Sequence, residues 1–179
     1  MHQAVGICSG FCTRVKNGFL PDNSRFYFDA LPEPKYLRYV PNADHSLRGS
    51  DAAQSALGFY MAVISGSPLP KFSWTFEEDG GIKVTTSDQP TEVRLWQATN
   101  PKARDFRLET IGAVWESSLV EPTAAGVYVG KTAQPTEGYT AFFVEMTFPS
   151  GGAAPFKFTT ATRIVPDTLP FKFEPKPHQ

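Results

Sequence analysis

The residue best suited to acid–base chemistry is His45, in the run Val40-Pro-Asn-Ala-Asp-His-Ser-Leu47. An imidazole titrates near neutral pH unaided, as a general base must. The run reads as a short loop between a strand and a helix, and open α/β sheets bind ligands at the carboxyl ends of their strands. Asn42, Asp44 and Ser46 are close enough in sequence to hold the ring, although adjacent Asp and His side chains diverge. The plain structural alternative is a loop histidine acting as a polar cap. Asp22 is the second candidate, one predicted helix and one predicted strand earlier. That is the order in which the acid and the base of a Ser–Asp–His triad follow one another. Its structural alternative is a helix N-cap.

The nucleophile such a triad needs is missing. No Gly-x-Ser-x-Gly elbow occurs: Gly6-Ile-Cys-Ser-Gly10 has the wrong register, and Ser65-Gly-Ser67 follows the histidine. Without a strand-to-helix turn presenting a serine, acyl-enzyme chemistry has no starting point. Cys8 and Cys12 could make half of a metal site, but there is no other cysteine, and the histidines are His2, His45 and His178. No metal and no cofactor is therefore expected, and no phosphate loop or dinucleotide fingerprint is present. Glu77, Glu78 and Asp79 cluster where a solvated hairpin turn is expected. Trp74, Trp96 and Trp115 are expected to fill a core.

The elements that would position these residues change character at Ser65-Gly-Ser-Pro-Leu-Pro-Lys71, which ends a helix and cannot continue one. Before it, a short helix over 23–31 begins at Asp22 or Asn23 and is closed by Pro32 and Pro34. A strand follows over 35–40. A second helix, capped by Ser50 with Asp51 in its first turn, runs to about Ile64. Its apolar positions Ala53, Ala56, Leu57, Tyr60, Met61 and Ile64 keep i, i+3/i+4 spacing. This is the tail of a βαβα pattern, and such a tail cannot stand alone. It must pack on something outside this chain or on the second half.

After the linker the grammar is all strand. Phe72, Trp74 and Phe76 alternate with polar residues, Asp79-Gly-Gly81 makes a turn, and Ile82, Val84 and Thr86 continue the inward face. Further strands are expected over 92–99, 113–119, 126–131, 138–148 and 156–165. About seven strands with turns between them suggest an antiparallel β-sandwich of the immunoglobulin or fibronectin type. The fold class is thus α/β plus all-β. The domains are an unassigned leader (1–18), an α/β part (19–66), a β-sandwich (71–170) and a flexible tail (171–179).

Composition narrows the partners. A formal net charge of −1, with scattered basic residues, argues against nucleic acid. No apolar run approaches the roughly 20 residues that cross a bilayer, so no membrane span is expected. The start lacks a basic n-region, so no signal peptide is read.

At Phe19-Leu-Pro-Asp-Asn-Ser-Arg-Phe-Tyr-Phe-Asp29 and Lys35-Tyr-Leu-Arg-Tyr-Val-Pro-Asn-Ala-Asp-His-Ser-Leu47, the sequence resembles the PhoPQ-activated pathogenicity-related protein family. The likeness extends over roughly 19–170 and includes Trp96-Gln-Ala-Thr-Asn-Pro-Lys-Ala-Arg-Asp-Phe-Arg107. It implies an α/β-hydrolase-like fold, here the C-terminal remnant of its sheet, with His45 at the triad histidine position. The family's larger N-terminal region and nucleophile elbow are absent. Val15-Lys-Asn-Gly18 stands where the family tends to carry an acidic segment, which leaves Asp22 as a weak substitute. The resemblance also suggests a secreted or periplasmic setting.

The first expectation is a truncated family member without catalysis of its own, its parent activity resembling serine-dependent hydrolysis. The second is a binding or secreted signalling module acting through the sandwich. The third is a fragment that completes its sheet on a separate N-terminal hydrolase half or on another protein.

Overall fold

The computed structural model describes residues 8–9, 21–44, 46–152 and 154–170. Cys12, His2, His45, His178, most of the leader and the tail from 171 lie outside the described residues. What is described is mostly antiparallel β-structure with few helices.

The first part is sparse in regular structure. β1 (Cys8–Ser9) pairs in parallel with β2 (Leu37–Arg38), so the strand expected over 35–40 is reduced to two residues. The helix expected over 23–31 is instead two 3₁₀ turns, Asn23–Phe26 and Phe28–Ala30, broken at Tyr27. The reason is local. Asp22 makes no side-chain hydrogen bond to the first-turn amides, because its carboxylate is drawn to Arg104. An uncapped start leaves the exposed N–H groups unsatisfied and favours the tighter, shorter turn.

α1 (Ala52–Ser65) forms close to its expected bounds and ends at Gly66, whose φ of 69° suits a left-handed cap. Asp51 occupies the N-cap position without capping. Ser50 Oγ instead accepts from the Ala52 amide at 3.3 Å. The helix buries Ala52, Phe59 and Ala62. The stripe read from the i, i+3/i+4 spacing faces the other way, and all of its members, Ala53, Ala56, Leu57, Tyr60, Met61 and Ile64, are exposed.

From Phe72 onward, alternation produces two antiparallel sheets. One has the order β3 (Phe72–Phe76), β4 (Ile82–Thr86), β8 (Val127–Gly130), β7 (Pro122–Ala124). The other is built on β9 (Tyr139–Phe148), with β5 (Glu92–Asn100) and then β6 (Glu116–Leu119) on one side. On the opposite side β9 pairs with both β10 (Phe156–Thr159) and β11 (Arg163–Val165). The last expected strand is therefore two. Between them Thr160 stays in touch with β9 by bonding Val144 through its amide and its hydroxyl. β7 and the short α2 (Leu108–Ile111) have no counterpart in the sequence reading.

The main core lies between the sheets. Ile82, Val84 and Tyr128 from one meet Val93, Leu95, Phe142, Val144, Met146 and Phe148 from the other. Full burial of each such side chain contributes about 1.5–3 kcal/mol. At Gly130 the sheets leave no room for a side chain: a Cβ would stand 2.6 Å from Val144 Cγ2 and 3.0 Å from Leu95 Cδ1.

Both faces of β9 are buried, which a sandwich strand with one solvated face would not show. The second face is covered by the first part of the chain. Phe28, Leu37, Tyr39 and Ala161 enclose Phe143 in a second cluster, against which Trp74, Trp96 and Trp115 pack while only partly buried. Tyr36 reaches into the main core. Its ring centroid lies 4.6 Å from that of Phe158, 5.7 Å from Phe59 and 6.0 Å from Phe72. Its hydroxyl donates to the Pro70 carbonyl at 3.1 Å. Of the two expectations for residues 1–66, docking onto the second half is thus met by the described residues from 21 on.

Candidate functional site

The loop around position 45 leaves β2 and is shaped by its own polar side chains. Asn42, at a φ of 57°, clamps Trp115. Its Nδ2 donates to the Trp115 carbonyl at 2.8 Å, and its Oδ1 accepts from the Trp115 amide at 3.0 Å. Asp44 Oδ1 accepts from the Ser46 amide at 2.8 Å and from Ser46 Oγ at 2.6 Å. These bonds, led by the Ser46 hydroxyl, hold the Asp44 carboxyl below the usual carboxylate range. The residues that sequence reasoning offered as supports for the ring are therefore engaged in building the loop. His45 itself lies outside the described residues.

Asp22 is described, and it is buried. Asp22 Oδ2 lies 2.7 Å from Arg104 Nη1, with the two side chains only 5% and 4% exposed. Arg25 and Asp167 extend the cluster at the surface, with Arg25 Nη1 3.2 Å from Asp167 Oδ1. Arg104 comes from the loop after β5, which Asn100 organises. Asn100 Oδ1 accepts from the amides of Lys102 and Ala103, and its Nδ2 donates to the Asp105 carbonyl at 2.7 Å. Asp22, Arg25, Trp74, Arg104, Thr162 and Asp167 line a cavity of about 380 Å³. Among the described residues, Arg104 Nε and Thr162 Oγ1 find no hydrogen-bond partner, and Arg104 Nη2 has only the longer ion-pair contact to Asp167 Oδ1 at 3.6 Å.

The two candidate segments are neighbours. The Tyr39 hydroxyl, at the start of the histidine loop, donates to Ser24 Oγ at 2.8 Å, beside Asp22. Pro21, Asn42, Ala43, Phe106 and Trp115 share a small cavity of about 40 Å³.

A second buried ion pair escaped the sequence reading. Arg38 on β2 meets Glu145 on β9, with both side chains under a tenth exposed. Arg38 Nη2 also donates to Asp51 Oδ1 at 2.7 Å, and Lys157 Nζ donates to Asp51 Oδ2 at 2.6 Å. Burial opposes ionisation of Asp51, but the bonds from Lys157 and Arg38 outweigh it and hold the carboxyl below its usual range. Period-2 alternation could have flagged one member, because Glu145 interrupts the apolar run of β9.

The expected solvated turn is present. Asp79 Oδ1 accepts from the Gly81 amide at 3.0 Å, and its Oδ2 accepts from Lys131 at 2.7 Å, both of those side chains being largely exposed. Among the described residues no cluster of three or more His, Cys, Asp or Glu could hold a metal ion. No described helix is long and apolar enough to cross a membrane.

The family model of the PhoPQ-activated pathogenicity-related protein matches residues 16–107. The chain belongs to this family. The match runs from before Asp22, through the histidine loop and α1, to the Arg104 loop, so both halves of the Asp22–Arg104 pair fall within it. The chain is also 36% identical over 181 aligned residues to autocrine proliferation repressor protein A of Dictyostelium discoideum. That alignment covers 86% of this PhoPQ-related chain but 36% of the relative, so the chain spans little more than a third of that relative's length. No solved structure matches it.

Proposed function

We propose that this chain carries the histidine segment of an α/β-hydrolase-like PhoPQ-related protein and does not catalyse alone. Residues 19–66 are read as the C-terminal part of the hydrolase-like domain. Residues 71–170 are read as an immunoglobulin- or fibronectin-like β-sandwich. The observation that carries this reading is the position of the His45 loop. It leaves the carboxyl end of a strand paired in parallel, where α/β sheets present their reacting groups. His45 takes the role of general base in serine-dependent hydrolysis of a substrate still to be identified, and Asp22 remains the weaker candidate for its acid. The serine would come from outside these residues, since no elbow is encoded here.

The purified chain should show no turnover of p-nitrophenyl acetate above that of its His45→Ala variant. Turnover by the chain alone that His45→Ala abolishes would overturn the claim that it is not self-sufficient. In a chimera where this chain replaces the matched segment of the Dictyostelium relative, turnover should appear and depend on His45. A folded chimera with no His45-dependent turnover removes the catalytic reading.

The match over 86% of the chain to a protein named as an autocrine proliferation repressor favours a second reading. Here the chain is a secreted signalling or binding module that acts through its sheets. Added to cultured Dictyostelium cells, the purified chain should slow proliferation equally well with and without His45→Ala. A loss of that effect on His45→Ala, or no effect at all, counts against it.

A further inference from the structure

α1 is apolar on both sides. Its fourteen residues, Ala-Ala-Gln-Ser-Ala-Leu-Gly-Phe-Tyr-Met-Ala-Val-Ile-Ser, contain no charged side chain. One face seats Phe59 and Ala62 in the main core. The other leaves Leu57 60%, Tyr60 58%, Met61 51% and Ile64 58% exposed. A helix at a protein surface normally turns a charged face to water, and one that is apolar all round belongs in an interior. Single exposed apolar residues are ordinary, but four large ones along one helix face form a patch.

Two further features lie on the same part of the molecule. Leu57, Gly58, Met61 and Ser65 line a groove of about 420 Å³ against residues 150–152 and Ala154. The strand that precedes α1, β2, belongs to a two-stranded parallel pair. Parallel strands occur almost only in larger sheets covered by helices on both faces. The described residues therefore supply a covering helix and one ladder of a sheet, but not the sheet to be covered.

We propose that the outward face of α1 is an interface for the remaining length of a full-length PhoPQ-related chain. The relative, of which this chain spans 36%, has ample polypeptide to supply the occupant. The occupant's chemistry follows from the surface: an apolar sheet face, with no charge placed opposite Leu57, Tyr60, Met61 or Ile64. This inference rests on reading 19–66 as part of a larger α/β domain, and it goes further by naming the contact face.

The test pairs Leu57→Glu with Met61→Lys, both at exposed positions, in the chain alone and in the chimera with the Dictyostelium relative. In the chain alone the double variant should shift the thermal midpoint little and raise solubility, because both side chains are more than half exposed. In the chimera it should lower the midpoint by about 8–16 °C or split one transition into two. That follows from several kcal/mol of lost burial at about 2–4 °C per kcal/mol. Equal behaviour in both backgrounds overturns the proposal. So does a concentration-dependent dimer of the lone chain that the double variant abolishes, since the occupant would then be a second copy. Ester turnover plays no part in these readouts. A chimera that couples through α1 but lacks activity removes only the catalytic reading, and an active chimera indifferent to the variant removes only this one.

Discussion

Asp22 and Arg104 form an ion pair in which both side chains are almost wholly buried, joining the turn before the first 3₁₀ segment to the loop after β5. Nothing in either local sequence announces the partner. Each charge is the nearest compensation for the other at a place water reaches little, so the two halves of the pair are not independent.

Arg104→Ala should therefore destabilise the chain by about 3 kcal/mol, the low end of what breaking a buried pair costs, because the Asp22 carboxylate keeps only the partly exposed Arg25, 3.7 Å away. Asp22→Leu with Arg104→Met together should cost far less than the sum of the single changes. Urea unfolding of the four proteins gives the coupling energy directly. Additive single effects would mean that the pair is not coupled.

Acid stability should carry a contribution from Asp51. Its folded carboxyl titrates below the ordinary aspartate value of 3.8, so the group binds fewer protons when folded than when unfolded. The stabilisation is complete above that value and is lost as pH falls through the lower folded one. Asp51→Asn should flatten the stability curve below about pH 4, where aspartate ordinarily titrates, and lower the plateau at pH 7. Thermal midpoints measured from pH 2 to 7 would show this, and parallel curves for the two proteins would refute it.

Gly130→Ala should destabilise by about 1–3 kcal/mol through overpacking between the sheets. The added methyl meets Val144 Cγ2 at 2.6 Å, and Val144 is fully buried. Adding Val144→Ala should recover part of the loss, although alone it costs stability by leaving a cavity. Denaturation midpoints that fall further in the double variant than in Gly130→Ala would contradict this account.

What could be read in the sequence tracks what is locally encoded. β4 was legible because Ile82, Val84 and Thr86 alternate with exposed Lys83 and Thr85. The turn at Asp79-Gly-Gly81 and the end of α1 at Gly66 were legible for the same reason. β9 was located, but its alternation could not reveal which face met what, since both are buried. In α1 the spacing picked a genuine stripe but not the one that Phe59 and Ala62 bury, because the helix has no charged face to break the tie. The 3₁₀ turns after Asp22 and the Arg38–Glu145 pair depend on partners far along the chain. His45 and Asp22 were named from residue type and order. That Tyr39 meets Ser24, beside Asp22, came only with the fold.

Tyr36 has a consequence for the chain's integrity under proteolysis. Its ring completes a cluster whose other members lie on both sides of the Pro-rich linker, and its hydroxyl is bound to the linker's own Pro70. A protease that cuts between residues 66 and 69 would nick the polypeptide without releasing either piece. The two products should elute together under native conditions and separate only in denaturant. The linker is thus a covalent boundary but not a mechanical one. Residues 71–170 expressed alone would open Phe158 and Phe143 to water, and neither half can be exchanged between homologues without carrying its matching surface along.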